Sequence, residues 1–295
     1  MFTAGCTFLL LIAGALVTSN DAGLSIPDWP LAYGQVVPHL SGGARYEFTH
    51  RAMAGSVGLL TIALTALLWK YEPQRWVRNL GLVALGAVIA QAILGGLTVR
   101  MMQPPAVSAA HATLAQLFFS TVIALSVFTG RWWQSSPAQL DDSGSPALWR
   151  LGAWTIAAVF VQLVLGAAFR HKAFGIVPHL VGAAVVTALI FWLAGALKRR
   201  FPRDPTLTRC RIALHALIGS QLLLGGAAWW SRIYAREFPQ PIGVMVALTV
   251  THTVVGALVL GGALVVTLIC YRLVRSGREV VLASHAEQVG HPASL

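Results

Sequence analysis

The chain has 295 residues, of which 56% are hydrophobic and 11% charged, with a mean hydropathy of +0.70. Soluble globular domains carry about 25% charged residues, so the composition argues against a water-soluble enzyme and for a polytopic, all-α membrane protein. The formal charge of +11 then reads as basic loops facing the cytoplasm rather than as a nucleic-acid footprint.

A membrane-crossing helix needs about 20 mostly apolar residues. Such runs fall at 2–18, 48–69, 79–99, 109–129, 149–169, 178–197, 209–229 and 244–271. The first contains the apolar stretch Phe8 to Val17 but has no basic leader and no small-residue cleavage site, so it reads as a retained span rather than a signal peptide. The longest connector, Ser19 to Tyr46, follows it and contains SNDAGLSIPDWPLAYGQ. No separate soluble domain fits. The expected organisation is an N-terminal four-helix half at 1–130, a cytoplasmic linker at 131–148, a C-terminal four-helix half at 149–278 and a flexible, polar cytoplasmic tail at 279–295. Cys6, Cys210 and Cys270 are far apart in the chain and beside apolar runs, so no disulfide or thiolate metal site is visible.

Orientation follows from Lys and Arg. With the N-terminus inside, the inner ends hold 14 of the 21 basic residues, from Lys70 to Arg278, and the outer ends hold Arg45, Arg51, Arg100, Arg170, Lys172, Arg232 and Arg236. The bias places both termini in the cytoplasm.

The spans repeat. Three odd spans carry a Gln followed by small residues: QAILGG from Gln91, QLVLGA from Gln162 and QLLLGG from Gln221. The first odd span has the weaker AGAL from Ala13. Each even span opens with a histidine near its outer end, in THRAMAG, AHATLAQ, PHLVGAA and THTVVGA. The chain therefore reads as two pseudo-repeated four-helix bundles. The glycines are explained by close helix packing; for the glutamines, interhelical hydrogen bonding and ligand contact stay open.

Position sorts the nine histidines. His39 and His171 lie in outer loops, His285 and His291 in the tail, and all four are expected to be solvated. His215 sits near the inner end of the seventh span, beside Arg211, where packing explains it. The other four, His50, His111, His179 and His252, lie one on each even span at a common outer depth. A lone intramembrane histidine is usually structural, but four in register suit axial ligation of heme iron. The pairs would be His50 with His111 and His179 with His252. A zinc or copper site built from all four is disfavoured because the pairs belong to different bundles.

Only the first pair has an acid beside it. Glu47 lies three residues before His50, on the same helical face. A helix-capping role would contribute about 0.3–1 kcal/mol; a membrane-depth carboxylate beside a ligand histidine points instead to chemistry.

These features resemble one family. The run Glu47-Phe48-Thr49-His50-Arg51 resembles the Glu-x-x-His-Arg motif that opens the second span of heme A synthases, and GLSIPDWPLAYGQ from Gly23 is similar to that family's first outer loop. The resemblance implies that His50 and His111 form the substrate heme site with Glu47 as the essential carboxylate. It likewise implies that His179 and His252 are axial ligands of a heme b cofactor. The implied reaction oxidises the C8 methyl of heme O to a formyl through hydroxylated intermediates, giving heme A for terminal oxidases in the cytoplasmic (inner) membrane. The implied partners are heme O synthase (the protoheme farnesyltransferase) and cytochrome oxidase assembly factors; no nucleic acid is implied, and a homo-oligomer is compatible. One departure stands out. Many bacterial members carry a cysteine pair in the first outer loop, whereas here that loop has none, with Ile26 and Ala32 flanking Pro27-Asp28-Trp29.

The residues accommodate this chemistry. An isoprenoid tail suits apolar helices, and anionic propionates at the outer boundary have Arg45, Arg51, Arg100, Arg170 or Arg232 to meet them. The rival reading is a diheme cytochrome b-type electron-transfer protein, which gives Glu47 no task. A heme or small-molecule transporter predicts polar residues running inward through the spans, which are instead nearly free of charge.

Overall fold

The computed structural model describes residues 1–135 and 137–276. Eight helices are long and apolar enough to cross a membrane: α1 (Phe2–Ser19), α2 (Ala44–Tyr71), α3 (Arg75–Arg100), α4 (Pro105–Phe128), α6 (Leu148–Arg170), α7 (Val177–Arg200), α8 (Pro205–Tyr234) and α9 (Gly243–Leu273). A single turn, α5 (Arg131–Gln134), follows α4. Every expected span is present, and the ends differ for a physical reason. Helices continue past the hydrocarbon limit wherever the backbone remains regular, so α2 begins at Ala44 and puts Glu47 in its first turn. Likewise α8 runs on through Trp229-Trp230-Ser231-Arg232 to Tyr234, an amphipathic stretch suited to the membrane boundary.

Local signals set the helix ends. Proline opens α4 and α8, where its missing N–H leaves nothing unpaired. Asp204 Oδ1 accepts the Leu207 N–H at 2.8 Å in the first turn of α8. Lys198, Arg199 and Arg200 close α7, where cations complement the helix dipole.

The helices form two rings. α1–α4 pack in sequence with α4 returning to α1, and α6–α9 pack in sequence with α9 returning to α6. The seam is made by α1 and α4 against α9 and by α4 against α6. The second ring buries Leu151, Ile190, Leu193, Leu207, Leu214 and Leu260 among others. The first buries Val57, Ala84, Phe118, Phe119 and Val122, and it also takes in Ala257 from α9. α9 is the most enclosed span, 56% buried against 17% for α3 and α8.

At the end of the bundle where α7 and α9 finish, strand β1 (Leu140–Asp142) of the linker between α5 and α6 pairs in parallel with β2 (Val274–Ser276), directly after α9. Asp142 is buried and ion-paired with Arg200 at 2.9 Å, so the linker is also tied to the end of α7. Cys210 and Cys270, remote in sequence, share the second core as free thiols. The tail expected at 279–295 lies outside the described residues.

Candidate functional site

Each of the four even-span histidines rests on a glycine of the preceding odd helix. A Cβ built on Gly14, Gly95, Gly166 or Gly225 would approach the Cε1 of His50 at 3.0 Å, His111 at 3.3 Å, His179 at 2.9 Å and His252 at 3.0 Å, respectively. Such contacts are tighter than most real Cβ atoms make, so the missing side chain makes room for the ring. These glycines lie in the small-residue motifs read from the sequence, but their role is more specific than helix packing. Each stands four residues after Leu10, Gln91, Gln162 or Gln221. Leu10 therefore occupies in α1 the place that glutamine holds in the other three helices.

The rings face each other in pairs. His50 and His111 have centroids 6.5 Å apart with planes at 82°, and His179 and His252 are 6.2 Å apart at 85°. Two imidazoles on opposite sides of one metal ion, with metal–nitrogen bonds of about 2 Å, place their centroids roughly 6 Å apart. Both pairs match that span. The Nδ1 atoms of His50, His111 and His252 are buried without a well-formed hydrogen bond, so protein contacts leave those rings unsatisfied. Donor chemistry, spacing and glycine seats thus fit iron held between two histidines. Among the described residues, no group of three or more His, Cys, Asp or Glu side chains could hold a bare metal ion, so the four-histidine zinc or copper site is not formed.

The glutamines are not equivalent. Gln162 Nε2 donates to the His179 carbonyl at 2.8 Å and lies 3.0 Å from its Nδ1, an interhelical tie across α6 and α7. The Oε1 atoms of Gln91, Gln162 and Gln221 are buried without partners.

A roof covers the first pair only. Glu47 is 3% exposed, and its Oε2 accepts the Ile26 N–H at 2.9 Å while Oε1 meets Arg51 Nη2 at 2.6 Å. Arg51 donates in turn to the carbonyls of Asp28 (2.8 Å), Leu31 (3.0 Å) and Ile26 (3.3 Å). Glu47 stands in the first turn of its own helix, and its carboxylate fastens the loop to that helix. That loop folds on itself. Asp28 accepts the N–H groups of Tyr33 at 2.7 Å and Gly34 at 2.8 Å, and the bond from Gly34 leads in holding its carboxyl below the usual range. Ile26 and Ala32, in the cysteine-free stretch, are buried with Ala44 against Leu40 and Phe48. The Trp29 ring lies over Gly96, where a Cβ would come within 2.9 Å. Gly96 adjoins Gly95, the seat of His111, so the indole packs on α3 next to that seat.

The outer arginines separate by their engagements. Arg51 is committed to Glu47 and the loop, Arg45 lies 5.6 Å from the Tyr46 ring and Arg232 lies 5.8 Å from the Phe169 ring. Arg100 is exposed. Arg170 alone reaches across the seam, to Thr253, Ala15 and Ser19. His171 departs from the expectation of a solvated loop residue. It is partly buried, and desolvation together with the Arg170 charge pushes it down to about 4. His39 is exposed, His215 bonds the Arg211 carbonyl at 2.8 Å and packs on Phe191, and His285 and His291 lie outside the described residues.

Comparison with known proteins agrees with this geometry. The profile of a family described as cytochrome oxidase assembly protein (COX15-CtaA) matches residues 1–178, more than half of the chain. A heme A synthase of Symbiobacterium thermophilum is 26% identical over 313 residues, covering 94% of each chain. Heme A synthases of Bacillus cereus (strain AH187) and Bacillus anthracis (strain CDC 684) are 36% identical over 121 residues, covering 40% of this chain and 39% of theirs. The profile match over more than half of its length shows that the chain belongs to the cytochrome oxidase assembly protein family.

Proposed function

We propose that this protein is a heme A synthase, an oxidoreductase of the cytoplasmic (inner) membrane with both termini inside. It converts the C8 methyl of heme O to a formyl through hydroxylated intermediates. One observation carries the reading: two matching histidine pairs, of which only the first has a buried carboxylate one helical turn away and a loop fastened above it.

In this reading residues 1–130 hold the substrate and 149–278 the cofactor. His50 and His111 grip the heme O iron, and the isoprenoid tail lies among apolar helices. With water as the oxygen source, taking a methyl to a formyl releases four protons and four electrons, and the electrons leave to an external oxidant. Glu47, paired with Arg51 and bonded by the Ile26 N–H, accepts protons released in the reaction. The roof of Trp29 and the loop limits water over the pair, which strengthens the carboxylate's electrostatic effect. His179 and His252 would hold heme b through its iron, and the bound group would supply one-electron redox chemistry to the second half. Heme O arrives from the farnesyltransferase that makes it, and the product passes to oxidase assembly factors.

The test is pigment analysis of membranes from cells that express the chain and make heme O. A formyl-bearing heme is expected. Heme b alone, with heme O unchanged, would instead identify a diheme electron carrier.

A further inference from the structure

The seam holds a cation with no ion-pair partner. Arg170 ends α6, and its guanidinium leaves its own helix: Nη1 donates to Thr253 Oγ1 on α9 at 3.0 Å, and Nη2 to Ala15 O at 3.0 Å and Ser19 Oγ at 2.7 Å on α1. All three acceptors are neutral, and three bonds leave two of the five guanidinium N–H donors over. Among the described residues the ion pairs are Glu47–Arg51 and Asp142–Arg200. The charged side chains within electrostatic reach of Arg170 are Asp21 and the repelling Arg232. A partly buried cation beside another, without a contacting carboxylate, is unfavourable until an anion joins it.

Its placement identifies that anion. Arg170 lies four residues after Gly166, the seat of His179, and so one turn further out on the same helix face. Thr253, which fixes the guanidinium, adjoins His252. The positions corresponding to Arg170 after the other three seats are Thr18, Val99 and Trp229, so the second histidine pair alone has a cation there.

We propose that Arg170 binds a propionate carboxylate of the porphyrin held by His179 and His252, with Arg232 as the outer, more exposed cation. This rests on the second pair being a heme site. The bond is a charge-assisted N–H···O contact made by the donors that the seam leaves over.

The test loads purified, heme-depleted full-length protein with heme b or with its dimethyl ester, which lacks the propionate charges. Wild type is expected to prefer the free acid by roughly ten- to a hundredfold, the range for a hydrogen bond to a charged group. Arg170→Gln should erase most of that preference and lower the midpoint potential of the bound heme. Arg170→Lys should keep part of both. Equal preference in wild type and Arg170→Gln would overturn the assignment, as would a wild type indifferent to esterification, which needs no variant to fold. Failure of wild type to bind either heme with a two-histidine spectrum would overturn the heme-site reading beneath it.

Discussion

The two halves share a seat and differ in what surrounds it. Gly14 and Gly95 receive His50 and His111 as Gly166 and Gly225 receive His179 and His252, and the ring spacings agree within 0.3 Å. Above the first pair, Glu47 and Arg51 lock a tryptophan-bearing loop. Beside the second, Gln162 ties its helix to that of His179, and Arg170 crosses the seam. The comparison separates holding from reacting. In the proposed function, glycine and histidine are the parts that hold a metal in both halves, and the added carboxylate marks the half assigned to chemistry.

The strongest way to break the comparison is to remove a ligand from the second half. His179→Ala or His252→Ala should abolish low-spin heme b in purified protein, read from the reduced-minus-oxidised spectrum; an unchanged spectrum in both variants would move the cofactor elsewhere. Next, Glu47→Gln retains shape but loses the ionised base and weakens the grip on Arg51. Heme A output should fall by about 10²–10⁴-fold with second-half heme intact, and a normal rate would leave Glu47 only the task of fastening the loop. The seats give a finer contrast. An added methyl lies 2.9 Å from His179 in Gly166→Ala but 3.3 Å from His111 in Gly95→Ala. Overpacking costs about 1–3 kcal/mol, so heme content should drop clearly in the first variant and little in the second; the reverse order would refute the seat argument. The smallest effect is expected from Asp28→Asn, which keeps one oxygen for the Tyr33 and Gly34 N–H groups. Because the Asp28 carboxyl is held below its ordinary value, its contribution is present above that value and fades as pH falls through the lowered one. Heme A formation near neutral pH should therefore change by no more than a few-fold in this variant, and a loss as large as that of Glu47→Gln would contradict the ranking.

Much of this was legible in the sequence because the membrane imposes simple rules. Apolar length gave the eight spans, and a histidine recurring at one depth gave the pairs. Glu47 stood out because it alone among the acids adjoins a ligand histidine. Other features depend on tertiary neighbours. Gly14 lies in a motif without glutamine, and only its contact with His50 shows its kinship to Gly166. Arg170 was one of five outer arginines until hydrogen bonds to two other helices distinguished it. The link between Trp29 and the first pair runs through Gly96, which carries no side chain to advertise it. His171 looked like an ordinary loop residue because its partial burial depends on the seam.

The position of α9 has a consequence for how the molecule is made. Ala257 completes the core of the first ring, Val250 and Val254 pack around Ala15 of α1, and Gly261 lets Ile123 of α4 approach closely. A helix that follows all seven other spans in the chain is thus a wall of the first bundle. Until it arrives, the faces of α1 and α4 that it covers stay open, so the amino-terminal bundle, although continuous in sequence, is completed only by a helix of the other half.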